Sequence, residues 1–476
     1  MPPTPRDRHA PAHRGRARGG ARRHREQPTD HPRRGWLLGL LPTLLLVLAG
    51  CQSPTEDATA EGSTDAQQDG AASNDGDPGS ARGLPHPPVP EYTIDPEFAE
   101  RQQLLQGWRD DLDTDAARLG QLVMLRIYGG EIDEEDPRNE ALYGVATPRE
   151  VVETFRPGGI LLFRTDSGED TGNLRDPAQV RGFTDDLRAV SEELGPPAIV
   201  AIDQEGGPVD RIGHFGTPYA TARDLAGDPD AAAEHAEVTA TELSALGIDM
   251  NFAPVADVDT ESTNPIIGER AYSEDPETVA EMVVANLEHY RDQGVVPVIK
   301  HFPGHGDTTQ DSHLTLPTVD ADRDLLERRE LVPFVEAIAA GAQAIMTAHL
   351  HLPEVSGDGP ASMSQVVITE LLREDLGFRG LIVTDSLEME GARQGRADNE
   401  VALDALLAGH DLLVLPPVPQ ESMATLEQAL SDDEVDRERV DPSVDRNLRL
   451  KARMLENAGD RPAPDVVGAT EDAQNG

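Results

Sequence analysis

Eight apolar runs of three to five residues punctuate this chain, and the stretches between them are long enough for one helix each. The runs cover residues 122–125, 160–163, 198–202, 250–252, 295–299, 344–346, 381–383 and 412–415. Runs this short, closed by polar groups and by Pro or Gly, suit strands buried on both faces. The stretches between them, such as 230–246 and 276–293, read as amphipathic crossover helices. Eight such units in succession predict an α/β fold, a single TIM-type (β/α)8 barrel. Polar residues follow five different runs, namely Asp203, Asp257, Lys300, His349 and Asp385. An open doubly wound sheet would gather its site at one switch point, so this dispersal favours a closed barrel.

The densest chemistry follows the fifth run, in Lys300-His301-Phe302-Pro303-Gly304-His305-Gly306-Asp307-Thr308-Thr309-Gln310-Asp311-Ser312-His313. It holds a cation, three imidazoles and two further carboxylates in a segment expected to be a loop at the C-terminal end of a strand, where barrels carry their active sites. Lys300 and Lys451 are the only lysines in the chain. A compact ammonium at Lys300 therefore marks a place where a planar guanidinium would not serve.

The N-terminal 50 residues read as a targeting segment. Arg33-Arg34 precede an apolar region, residues 36–48, too short and too interrupted by Pro42 for a membrane span, and Arg33-Arg34 would also suit twin-arginine export. That region ends in Leu48-Ala49-Gly50-Cys51, which resembles a bacterial lipobox, so Cys51 is the expected lipidation site and the membrane anchor on the extracytoplasmic face. Cys51 is the only cysteine, which leaves no internal disulfide and no multi-cysteine metal site. Residues 51–94 are rich in Gly, Ser, Ala, Asp and Pro and are expected to be a disordered acidic tether, residues 95–456 the folded barrel, and residues 457–476 a disordered tail. The net charge is −47 although ten arginines sit in the first 50 residues, so the rest is strongly acidic. Such a surface excludes nucleic acid as a partner and leaves membrane contact to Cys51 alone.

Lined up at the strand ends, the chain resembles glycoside hydrolase family 3, in its single-barrel β-N-acetylglucosaminidase branch. The resemblance is carried by Ile202-Asp203-Gln204-Glu205-Gly206-Gly207-Pro208-Val209-Asp210-Arg211, Asn251-Phe252-Ala253-Pro254-Val255-Ala256-Asp257-Val258, Ile267-Gly268-Glu269-Arg270-Ala271-Tyr272, the segment from Lys300 to His313, and Val383-Thr384-Asp385-Ser386-Leu387-Glu388-Met389. It implies a retaining glycosidase that releases terminal β-linked N-acetylglucosamine from peptidoglycan- or chitin-derived glycans. No cofactor and no metal are implied, and a monomer is expected.

Retaining hydrolysis needs a carboxylate nucleophile and a proton donor on the leaving-group side. Asp385, at the end of a buried strand, suits the nucleophile, and the resemblance assigns it that role; a helix N-cap is the alternative role for an Asp followed by Ser. Asp311 and His313 alternate along what reads as an extended segment, so the carboxylate can hold the imidazole and set its tautomer. The resemblance makes His313 the acid and then the base. It also places Asp203, Arg211, Arg270, Lys300 and His301 at substrate, each with a structural ion pair as the alternative. His305 and Asp307 are expected to shape the loop. The spacing of the loop's histidines and aspartates matches neither a His-Glu-x-x-His nor a cysteine zinc site, and its glycines are not followed by the Lys-Ser/Thr of a phosphate cradle.

Two other functions fit the same residues. A β-N-acetylglucosaminide phosphorylase would use phosphate in place of water, although export argues against it. A non-catalytic sugar-binding lipoprotein would need no nucleophile. A β-glucosidase of the same family would bring a second α/β domain with a carboxylate acid, which is not expected in the roughly 60 residues after the last run.

Overall fold

The computed structural model describes residues 98–164, 171–458 and 461–469. Cys51, the leader and the tether expected before residue 95 lie outside the described residues, as do residues 470–476. All eight expected runs are strands: β1 Val123–Arg126, β2 Gly159–Leu161, β3 Ile199–Ile202, β4 Met250–Asn251, β5 Val296–Phe302, β6 Ala344–Thr347, β7 Leu381–Thr384 and β8 Leu413–Val414. They form one parallel sheet in the order β7-β6-β5-β4-β3-β2-β1-β8. A parallel bridge between Val383 and Leu412, with the Thr384 N–H donating to the Leu412 carbonyl at 3.0 Å, joins the two ends and closes the barrel.

Three of the long helices start at Asp-Pro pairs. Asp176, Asp228 and Asp275 each precede a proline, and each carboxylate accepts from a backbone N–H of the first turn of Pro177–Glu192, Pro229–Ala245 and Pro276–Asp292. Aspartate satisfies an otherwise orphaned donor, and proline at the first helical position loses no bond, so each cap contributes about 1 kcal/mol. Thr147 and Glu150 form a reciprocal capping box on Pro148–Phe155. Helices Val332–Ala339, Val366–Asp375 and Val401–Ala408 complete the crossovers. Among the described residues no helix is long and apolar enough to cross a membrane.

Inside the barrel, Met124, Leu161, Ile199, Met250, Val298, Met346, Val383 and Val414 pack into one apolar cluster. Leu450 and Met454 of the long helix Arg437–Ala458 join the same cluster. This filling leaves the C-terminal ends of the strands as the place for a cavity.

Two expectations change. The fifth strand does not stop at Ile299 but runs through Lys300 and His301 to Phe302, where the β5–β6 register shifts between Ile299 and Phe302. Lys300 and His301 therefore sit on the strand itself. Residues 461–469, expected to belong to a disordered tail, pack on the barrel. Arg461 Nη2 donates to Asp249 Oδ1 at 2.5 Å, the Gly468 N–H to Glu242 Oε1 at 2.7 Å, and Val467 joins the main apolar cluster. The composition of the tail hid this because its hydrogen-bonding partners lie more than 200 residues back in the chain.

Candidate active site

A cavity of about 620 Å³ opens at the C-terminal ends of the strands. Its apolar lining includes Leu161, Phe252, Met346 and Val414 from the barrel interior, and Asp203, Arg211, Arg270, Lys300, His301, His313 and Asp385 all face it. Residues proposed from positions between 203 and 385 thus share one space, of a size suited to a sugar ring.

One wall is an ion network. Lys300 Nζ donates to Asp203 Oδ1 at 2.7 Å and pairs with Glu205 Oε1 at 2.6 Å. Arg270 holds Glu205 with two parallel bonds of 2.8 Å each. Burial alone would raise the Glu205 carboxyl, but Arg270 and Lys300 hold it well below the usual carboxylate range. Burial would likewise lower the Lys300 ammonium, yet Asp203 and Glu205 keep it above its ordinary value. Lys300 is thus a fixed cation held between Asp203 and Glu205.

The second group hangs from Asp257, which is fully buried. Its Oδ2 lies 2.6 Å from His301 Nδ1, and its Oδ1 accepts the backbone N–H of His301 at 3.1 Å and of His305 at 2.7 Å. A carboxylate only accepts, so His301 carries its proton on Nδ1 and turns Nε2 toward Arg270 Nη2, 3.3 Å away. His305 Nε2 lies 2.9 Å from Ser312 Oγ. Burial lowers the His305 pKa to about 4, so it is neutral near pH 7.

Asp385 follows β7. It does not cap the next helix, Glu390–Arg393, which begins five residues on; Asp385 Oδ1 accepts the adjacent Ser386 N–H at 2.7 Å. His349 holds the same backbone, with Nε2 3.0 Å from the Ser386 carbonyl and Nδ1 2.7 Å from Ser362 Oγ. Burial would raise the Asp385 carboxyl, but the imidazoles of His301, His349 and His313 and the Lys300 ammonium hold it below its ordinary value. It is an ionised carboxylate at neutral pH, as a nucleophile must be.

His313 stands across from it, with 59% of its side chain exposed. Its Nδ1 and its backbone N–H both meet Asp311 Oδ1, at 2.9 and 2.8 Å. The geometry is a turn, with the Leu314 and Thr315 N–H groups donating to the Asp311 carbonyl, and not the extended alternation expected from sequence. The pairing is the same because an aspartate readily accepts from the N–H two residues on. Arg211 lies with its guanidinium 5.3 Å from the Phe163 ring centre. Asp307 pairs with Arg329, away from the cavity lining.

Five residues at the site were given no role from sequence. Glu205 lay within a quoted motif, and Asp257 and His349 were noted as strand-end residues, but none had a role. Arg126 and Glu388 pair at 2.6 Å on the cavity wall; Glu388 lay within the quoted motif that follows the seventh run, and Arg126 lay in none. Among the described residues no cluster of three or more His, Cys, Asp or Glu side chains is arranged to hold a metal ion.

A closed parallel barrel with charged groups converging at the C-terminal ends of β3, β5 and β7 defines a (β/α)8 protein with its site on the catalytic face. The chain belongs to glycosyl hydrolase family 3, whose N-terminal domain model matches residues 116–450. It is similar to Beta-hexosaminidase A of Pseudoalteromonas piscicida, 32% identical over 383 residues that make up 72% of this chain and 62% of that protein. Among solved structures it is similar to a glycoside hydrolase family 3 β-N-acetylglucosaminidase from Paenibacillus sp. str. FPU-7, with 39% identity, a TM-score of 0.66, and coverage of 72% of this chain and 63% of that one. A beta-glucoside phosphorylase, BglX, bound to 2FGlc gives 27% identity and a TM-score of 0.66, covering 80% of this chain and 65% of that one. The chain thus spans less than two thirds of the length of each of these three proteins.

Proposed function

We propose that this chain is a retaining glycoside hydrolase that releases terminal β-linked N-acetylglucosamine from peptidoglycan- or chitin-derived saccharides. The observation that carries the reading is the meeting of Asp385, ionised and half-buried, with the Asp311-held imidazole of His313 at one sugar-sized cavity. The N-acetyl preference draws support from the names of the hexosaminidase and β-N-acetylglucosaminidase relatives.

In this reading Asp385 attacks the anomeric carbon as the glycosidic C–O bond breaks, and protonated His313 gives its proton to the departing oxygen. Water then attacks the same carbon, neutral His313 takes its proton, and the Asp385 carboxylate is released. An imidazole base adds no negative charge beside the departing carboxylate. Asp203 and Lys300 offer an acceptor and a donor to neighbouring hydroxyls, with Arg211, Arg270 and His301 completing the polar wall.

The test is hydrolysis of a chromogenic β-N-acetylglucosaminide beside the β-glucoside, with and without phosphate, for wild type and Asp385→Asn. Release of N-acetylglucosamine that is independent of phosphate and lost in the variant is expected. Formation of the sugar 1-phosphate would instead support the phosphorylase reading, which the likeness to a beta-glucoside phosphorylase keeps in view. Binding of N-acetylglucosamine without turnover would support a sugar-binding lipoprotein. We further propose that the protein is exported, held at the membrane by lipidated Cys51, and monomeric, with the barrel facing its glycan outside the cytoplasm.

A further inference from the structure

The loop that carries His313 leaves β5 at Phe302, and two residues behind it take no part in the steps above. Glu330 lies between helices Arg323–Arg328 and Val332–Ala339 and is completely buried. Its Oε1 accepts from Arg329 Nε at 2.5 Å, and its Oε2 has no hydrogen-bond partner among the described residues. Arg329 continues outward, where Nη2 donates to Asp307 on the loop. Gly304, at φ +131°, rests directly on Glu330: a Cβ there would stand 2.8 Å from both Glu330 Cβ and Oε2. The loop is thus held at two points, by contact at Gly304 and by an ion pair at Asp307.

These points connect to the acid. His305 lies between Gly304 and Asp307, and its Nε2 reaches Ser312 Oγ, the residue between Asp311 and His313. The turn is tied down on its other side, where the Gly391 N–H donates to the Ser312 carbonyl at 3.1 Å and the Glu390 N–H faces the His313 carbonyl at 3.4 Å. A shift at Gly304 or Asp307 therefore moves His305 and, through Ser312, the turn that presents His313. Burial raises Glu330 to about 7, with Asp257 and Asp307 adding to it against Arg329. A buried acid with an unanswered oxygen is costly, and an apolar residue could fill the space without that cost. Such a residue could not hold Arg329 toward Asp307.

We propose that Arg329 and Glu330 are positioning residues for the acid–base step, fixing residues 303–313 so that His313 stands on the leaving-group side of Asp385. The inference rests on the hydrolase reading and on His313 as its acid. General acid catalysis contributes about 10² to 10⁴ in rate, and a misplacement of about 1 Å can cost about 100-fold, so a loosened loop shows itself where protonation is most needed.

The experiment compares Arg329→Ala, Arg329→Lys, Asp307→Asn and His313→Ala on two substrates, a β-N-acetylglucosaminyl disaccharide and a dinitrophenyl glycoside that departs unprotonated, with thermal melting of each variant. For Arg329→Ala, kcat on the disaccharide falls about 10- to 100-fold with KM within about threefold, while the first-turnover burst on the aryl substrate stays within about threefold. Arg329→Lys recovers part of the loss. Asp307→Asn, at a partly exposed loop position, gives a weaker version of the same split with the melting temperature retained. Equal losses on both substrates, or none, in Arg329→Ala and Asp307→Asn would overturn the positioning role. If His313→Ala separates the two substrates and these variants do not, the positioning inference falls alone. If His313→Ala does not separate them, the acid assignment falls and takes this inference with it.

Discussion

Glu205 Oε1 lies 2.6 Å from Lys300 Nζ, and the remaining hydrogen bonds of the Glu205 carboxylate go to Arg270. One carboxylate therefore holds two cations, the buried Lys300 and the largely covered Arg270, that would otherwise repel each other at the cavity wall. Both readings of Lys300 and Arg270, cavity-facing donor and structural ion pair, are thus met in one fixed wall.

Replacing that carboxylate tests the wall. Glu205→Gln leaves Lys300 with Asp203 alone and Arg270 with no carboxylate, and breaking a buried pair on one side costs about 3 to 5 kcal/mol. We expect a clear fall in melting temperature and a rise in KM larger than the fall in kcat. Because the folded-state pKa is depressed, the stabilisation from Glu205 is complete above the ordinary carboxylate pKa of 4.5 and disappears only in stronger acid. Unfolding titrations of both proteins at pH 7 and pH 3 should show the difference shrinking on acidification.

His313→Ala separates acid from base. Natural saccharides should slow by about 10² or more, whereas the first step on aryl glycosides with good leaving groups should be spared. Azide should partly restore the second step, since a small anion needs no general base. Asp311→Asn, which keeps the turn but removes the charge beside Nδ1, should give a milder form of the same pattern. A uniform loss without azide rescue, read by steady-state and burst kinetics, would make His313 structural.

Glu330 gives a stability prediction of opposite sign to Glu205. Its folded-state pKa is raised to about 7 by burial, from an ordinary 4.5. The folded protein holds this proton where the unfolded chain has lost it, so the favourable contribution is present at low pH and lost as pH rises from about 4.5 through about 7. Wild type should lose stability relative to Glu330→Gln by about 1.4 kcal/mol per pH unit across that window. Parallel denaturant curves between pH 4.5 and 8 check this, and a pH-independent difference would contradict it.

Cys51→Ser probes the anchor. If Cys51 is lipidated as proposed, its acyl chains supply membrane affinity that a body with so negative a charge cannot, so wild type should partition into detergent and the variant into the aqueous phase. Activity per folded molecule should be the same in both. Equal partitioning in a phase-separation assay would count against lipidation.

The strands, the crossover helices and the closed parallel architecture were legible in the sequence because each is written locally. A short apolar run bounded by polar residues can only be a buried strand here, and Asp176-Pro177, Asp228-Pro229 and Asp275-Pro276 announce helix starts by the bonding needs of the first turn. The polar residues at the ends of β3, β5 and β7 were legible for the same reason, since a charge directly after a buried strand has few places to go but the barrel mouth. The tertiary structure alone decided which charge answers which. Lys300 meets Asp203 across 97 residues and His301 meets Asp257 across 44, distances over which no local pattern carries information. Barrel closure and strand register set those pairings, and with them the division of Glu205 between Lys300 and Arg270, the hold of Glu330 and Arg329 behind the His313 loop, and the docking of Arg461 on Asp249. Hydrophobic periodicity specifies which face of an element is buried, whereas an ion pair depends on where two elements meet, and that is fixed only when the whole barrel has closed.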